Sequence, residues 1–155
     1  MPSSRALLIV DVQQAGEPPE RFLKKLRRYS ARFPCRIFMR FINPADSMLR
    51  RLLHQTNCAP GSPETALCIV PKSSDLVIDK ATYGLSPAQI RRIKARGITR
   101  VTVCGLDTDA CVLGAKFSLF DAGIECHLKE AMCWSSSGLH QPALAIIRSQ
   151  FPPSR

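Results

Sequence analysis

Two apolar patterns alternate along the chain. "ALLIVDV" (6–12) is an almost unbroken apolar run, which predicts a strand covered on both faces. "RFLKKLRRYSAR" (21–32) instead repeats Phe22, Leu23, Leu26 and Tyr29 at helical spacing, with Arg21, Lys24, Lys25, Arg27, Arg28 and Arg32 between them. That spacing predicts an amphipathic helix with a basic outer face. The alternation then continues. "CRIFMRFI" (35–42) predicts a second strand, and "SMLRRLLHQ" (47–55) a short helix with Met48, Leu49, Leu52 and Leu53 on one side. "NCAPGSPETALC" (57–68) carries proline and glycine and reads as a loop.

"DLVID" (75–79) predicts a third strand. The helix over "SPAQIRRIKARG" (86–97) is well punctuated: Ser86 as cap, Pro87 at the first position, Gly97 just past the end. "RVTVCG" (100–105) predicts a fourth strand, followed by a helix from about Ala110 to Ala122 that stops at Gly123. "IECHL" (124–128) and "QPALAIIRSQF" (141–151) complete the pattern as a fifth strand and a closing helix. Strands alternating with helices at this spacing predict an α/β fold: one parallel sheet with helices on both faces. No linker, internal repeat or low-complexity tract divides the chain, so residues 1–155 are expected to form a single domain.

Composition changes this picture little. A chain of 155 residues with 45% hydrophobic content has enough apolar material for a real core. The longest apolar run near the start, Ala6 to Val10, is far too short to span a membrane and lacks the features of a signal peptide, so a cytoplasmic protein without membrane contact is expected. The seven cysteines are odd in number and contain no C-x-x-C pair, which supports neither a disulfide framework nor a zinc ribbon. Most are expected to be buried, reduced and inert. The formal net charge is +10. The basic helix has no aromatics interleaved on its charged face, so it reads as a solvated surface and not as a nucleic-acid site.

In a parallel sheet of this kind, ligands bind beyond the carboxyl ends of the strands. Asp11 follows the first strand, Lys80 the third, and Cys111 the fourth, at the start of the next helix. A helix amino terminus and a nearby lysine favour a thiolate, and an aspartate can take the thiol proton and return it to a leaving group. Backbone N–H groups in the turn can hold a developing oxyanion. These are the parts of an acyl-transfer site. The histidines fit less well: His54 ends a polar helix, His127 lies within the fifth strand, and His140 opens the last helix.

"LLIVDVQ", "VIDKATY" and "VCGLDTDACV", with "SSSGLHQPALAII" near the end, resemble the signature segments of the isochorismatase-like cysteine hydrolase superfamily, which includes nicotinamidases and N-carbamoylsarcosine amidases. The resemblance implies a Rossmann-like three-layer sandwich that hydrolyses a small-molecule amide or related C–N bond through a thioester. It implies a catalytic triad of Asp11, Lys80 and Cys111, a cis peptide between Leu106 and Asp107, and an oxyanion hole formed by the N–H groups of Asp107 and Cys111. Asp107 and Tyr83 are the expected substrate contacts, and a homo-oligomer (dimer or tetramer) the expected assembly. The alternative is a family member that keeps the fold but serves in binding or assembly.

The chain also departs from the family pattern. Nicotinamidases carry D-x-H and a further histidine as metal ligands after the second strand, whereas "RFINPADSML" has no histidine before His54, so neither metal nor other cofactor is expected. "QQAGEPP" replaces the usual pocket-walling stretch. Aspartate at position 107 stands where relatives usually have a small apolar residue. Its carboxylate is expected either to select neutral or cationic substrates and oppose the Cys111 thiolate, or to turn outward and pair with an arginine.

Overall fold

The computed structural model describes residues 4–151 and 153. Five strands form one parallel sheet: β1 (Arg5–Val10), β2 (Arg36–Phe41), β3 (Leu76–Lys80), β4 (Arg100–Gly105) and β5 (Glu125–Cys133), in the order β3-β2-β1-β4-β5. Five α-helices connect and flank them: α1 (Glu20–Ser30), α2 (Met48–Leu53), α3 (Pro87–Lys94), α4 (Leu113–Asp121) and α5 (His140–Gln150).

The unbroken apolar run of β1 has its cause in this layering. Leu7 and Ile9 face α1 and pack with Phe22, Leu23 and Leu26, while Ala6, Leu8 and Val10 face the opposite layer and pack with Ile93 of α3 and Leu119 of α4. Both faces are covered, so neither set of positions is polar. The chain starts in the middle of the sheet, winds outward through β2 and β3, then crosses back to β4 on the other side of β1. Strand order therefore reverses between β1 and β4, and the crevice at such a switch point is where an open parallel sheet can take a ligand.

The tips of β1 and β4 meet closely at that crevice. The Leu106 N–H donates to Val10 O at 2.9 Å. Gly105 has φ +121°, and a Cβ there would lie 2.2 Å from Val10 O. Only glycine fits both the left-handed backbone and the space.

Several expectations need correcting. The α2 segment is helical, capped by Ser47, yet only Leu49 of its apolar side is buried; Met48, Leu52 and Leu53 are exposed. Strand β5 runs to Cys133, well past "IECHL", with a register shift opposite Val103 and Gly105. It can carry Lys129 and Glu130 because it is the sheet's edge, covered less completely than β1. The helix expected from Ala110 starts only at Leu113; residues Thr108–Val112 form a wider π-type turn in which the Val112 N–H reaches back to Asp107 O at 3.1 Å. Of the seven cysteines only Cys58, Cys104 and Cys133 are buried, the other four are half-buried, and none is in a disulfide. The α3 punctuation is as expected, with the Ser86 side chain and Gln89 forming a reciprocal capping box.

Candidate active site

Asp11 is the first residue after β1. Its N–H donates to Met39 O on the neighbouring strand at 3.1 Å, and its φ of +46° turns the chain sharply out of the sheet. Lys80 is the last residue of β3, two strands away, and its long side chain returns across the strand tips. Cys111 lies in the turn after β4. The three side chains meet over the switch point.

The Lys80 ammonium is 2.8 Å from Asp11 Oδ2 and donates to Cys111 Sγ at 3.3 Å and to Thr82 O at 2.7 Å. It also lies 5.3 Å from the centre of the Phe41 ring. The Lys80 side chain is fully buried and that of Asp11 nearly so. Although close to the ammonium, neither Asp11 oxygen has an aligned hydrogen-bond donor. The pair is held by charge, and the carboxylate keeps its lone pairs open.

Electrostatics correct one expectation. Burial pushes the Cys111 thiol well above its ordinary pKa, and the Asp11 carboxylate pushes in the same direction; Lys80 opposes both and loses. The thiol rests protonated, with its carboxylate acceptor beside it. The helix-terminus effect expected from sequence is outweighed, since the α-helix proper starts two residues later, at Leu113. Burial alone would lower the pKa of Lys80, but Asp11 and Cys111 reverse this and raise it, so the lysine stays charged.

The Leu106–Asp107 peptide is cis. Asp107 does not pair with an arginine: its Oδ2 accepts from Ser136 Oγ at 2.7 Å. Burial raises its pKa, the Ser136 hydrogen bond partly offsets this, and the charges of Asp109 and Asp11 raise it further. Tyr83 is about half exposed. These residues border a cleft of about 870 Å³ that also reaches Leu49, Phe117, Asp109 and Ser137.

Several contributors escaped the sequence reading. Ser137 Oγ donates to Asp109 Oδ2 at 2.8 Å. The Thr108 N–H donates to Ser135 Oγ at 3.0 Å, and Thr108 Oγ1 shares a hydrogen bond of 2.8 Å with His140 Nδ1. The segment before α5 thus clamps the turn that carries Cys111. Gln13 is buried and bonds both backbone groups of Phe41 and Thr65 O, fixing the loop beneath the cleft. The run of three serines before a histidine was the available signal; which carboxylates they hold was not.

A cysteine, a lysine and an aspartate over the switch point of a doubly wound sheet define a class of small α/β proteins, and the comparisons agree with that class. The chain matches the isochorismatase domain family over residues 5–152, and it belongs to that family. Solved structures share its fold. One is a pyrazinamidase of Pyrococcus horikoshii in complex with zinc (19% identity, 95% of this chain and 96% of that one, TM-score 0.85). Others are an isochorismatase-like hydrolase from Alkaliphilus metalliredigens (13%, 94% and 91%, TM-score 0.84) and a nicotinamidase from Bacillus subtilis (17%, 97% and 98%, TM-score 0.82). No curated protein sequence matches the chain.

The residues here do not fit a metal. Among the described residues no three His, Cys, Asp or Glu side chains gather as a metal site would require, and His54 sits exposed at the end of α2. Among those residues, too, no helix is long and apolar enough to cross a membrane.

Proposed function

We propose that this protein is a cysteine hydrolase that cleaves the C–N bond of a small amide through a thioester on Cys111. The observation that carries the reading is the convergence of Asp11, Lys80 and Cys111, with Asp11 and Cys111 lining the cleft and the Lys80 ammonium buried against both. The nicotinamidase and pyrazinamidase among its structural neighbours support an amide as the substrate class.

Asp11 is the base. It takes the thiol proton as sulfur attacks the amide carbon, so no free thiolate accumulates in the buried site. The carbonyl oxygen becomes an oxyanion facing the N–H groups of Asp107 and Cys111. Asp11 then returns its proton to the nitrogen, the C–N bond breaks, and the amine or ammonia leaves. Water attacks the thioester, again giving its proton to Asp11; the acid departs, and the thiol is restored. Lys80 remains an ammonium throughout, facing the Asp11 carboxylate and stabilising negative charge on sulfur. Tyr83 contacts the substrate from the rim. A homo-oligomer belongs to the same reading, supported by the exposed Met48, Leu52 and Leu53 next to Leu49 of the cleft wall.

A panel of small amides with ammonia detection supplies the test. Cys111→Ala should abolish turnover and the covalent adduct seen by intact mass, while circular dichroism stays unchanged. Hydrolysis undiminished in that variant would remove the mechanism. Dialysis against a chelator should leave activity intact.

A further inference from the structure

The charge at the cleft runs against the charge of the molecule. The chain carries +10 overall, yet the residues that line the cleft include three aspartates, Asp11, Asp107 and Asp109, and no lysine, arginine or histidine. Asp11 is compensated by Lys80 beneath it. Neither Asp107 nor Asp109 forms an ion pair among the described residues. Ser136 and Ser137 hold one oxygen of each in a fixed direction, and Asp109 Oδ1 is buried with no hydrogen-bond partner among the described residues. The basic residues on α1 do not repair this, because exposed charges beyond about 10 Å are largely screened at physiological salt.

A second feature of the same cleft points the same way. Tyr83 and Phe117 both line it and both remain substantially exposed, presenting aromatic surface to the same cleft that the carboxylates line. Fixed carboxylates together with aromatic faces are the two means by which proteins hold organic cations.

Resting on the hydrolase reading, we propose that Asp107 is the selectivity residue of the cleft, and that the favoured substrate is an amide bearing a positive charge, such as an alkylammonium or guanidinium. The energetic argument concerns what happens when the cleft fills. A neutral substrate would strip water from Asp107 and leave its charge without compensation. An anionic one would add repulsion from Asp107 and Asp109. A cation replaces the lost water with a charge-assisted hydrogen bond and relieves the repulsion between the two aspartates. Burial and the neighbouring acids raise the pKa of Asp107, and a bound cation would act against both.

Three primary amides of matched size, ending in an ammonium, a hydroxyl and a carboxylate, test this. Binding to the Cys111→Ala variant is measured by calorimetry at low and physiological salt, and hydrolysis is measured with the unmodified protein. The ammonium amide should bind at least about tenfold more tightly than the hydroxyl amide, the size expected for one hydrogen bond to a charged group. The preference should collapse when Asp107→Asn is added. Ser136→Ala, which leaves the backbone of the turn untouched, should reduce it by a few-fold and serves if Asp107→Asn fails to fold. Equal binding of ammonium and hydroxyl amides, or a preference that survives Asp107→Asn, overturns the proposal. Turnover without that preference overturns it and leaves the hydrolase intact; a preference without turnover upholds cation recognition and removes the hydrolase reading.

Discussion

Two ion pairs lie buried among the described residues, and they differ in how their carboxylates are bonded. Arg36 and Asp75 join β2 to the start of β3 with side chains 6% and 2% exposed. Two parallel hydrogen bonds connect them, 3.2 Å from Nε to Oδ1 and 2.5 Å from the terminal nitrogen to Oδ2, and the Lys72 N–H adds a third at 2.6 Å. Lys80 and Asp11 are as deeply buried and as close, yet neither carboxylate oxygen has an aligned donor. In the first pair each carboxylate oxygen accepts at least one aligned bond. In the second the lone pairs are left free beside a thiol. Burial and proximity are shared by both; the alignment of the donors separates a pair fastened by hydrogen bonds from one that sets a carboxylate beside a thiol.

Breaking the pairs should separate their roles. Asp11→Asn removes the proposed proton acceptor and should lower kcat per folded molecule by roughly 10² to 10⁴, the range for a general base; it also leaves the Lys80 ammonium buried without its counter-charge and should cost stability by urea titration. Arg36→Met leaves Asp75 buried and uncompensated and should cost roughly 3–5 kcal/mol of stability by urea titration, with kcat per folded molecule unchanged. If Arg36→Met lowered kcat per folded molecule, or Asp11→Asn left it unchanged, the contrast would be wrong.

The pH dependence sharpens it, with a smaller effect. Burial acts to raise the pKa of Asp75, but the Arg36 and Lys72 hydrogen bonds outweigh it and the net shift is downward. The folded state therefore favours its ionised form. That stability is fully present above the carboxylate's unfolded pKa and is lost as pH falls through the lower folded value. Asp107 is shifted upward, chiefly by burial, so the folded state favours its protonated form. Its contribution is present below the unfolded pKa and is lost as pH rises through the folded one. Urea titrations from pH 3 to 7 should show the deficit of Asp75→Asn shrinking toward acid. Any gain from Asp107→Asn should appear only toward neutral pH. Opposite trends would contradict the assigned shifts. The smallest effect belongs to the exposed pair Arg27–Glu20, 2.7 Å apart but 44% and 75% exposed. Glu20→Ala should change stability by no more than about 1 kcal/mol in low salt.

The sequence made the sheet legible where burial was complete. β1 and β4 lie at its centre, and their apolar runs leave little ambiguity. The end of β5 was hidden because an edge strand can carry Lys129 and Glu130 without penalty. The turn at Cys111 was misread as α-helix because Ala110, Cys111 and Val112 are compatible with either form; the wider turn shows only in the backbone bonds to Asp107 O. The meeting of Asp11, Lys80 and Cys111 was legible because strand tips in a parallel sheet converge by construction. The bonds from Ser136 and Ser137 to Asp107 and Asp109 were not, since they join two loops whose approach leaves no periodic trace.

The close contact at Gly105 divides the molecule by its freedom to change. A side chain at that position would drive the tips of β1 and β4 apart, and these tips carry Asp11 and lead to Cys111. The strand junction is therefore closed to variation, and Ser136 is tied to it through the neighbouring Trp134 N–H, which donates to Gly105 O; Leu49, Tyr83 and Phe117 line the cleft from elements outside it. A library randomised at those three positions can reshape the cleft wall while Asp11 and Cys111 stay in place. A library that includes residue 105 will spend its members on chains that no longer bring Asp11 and Cys111 together.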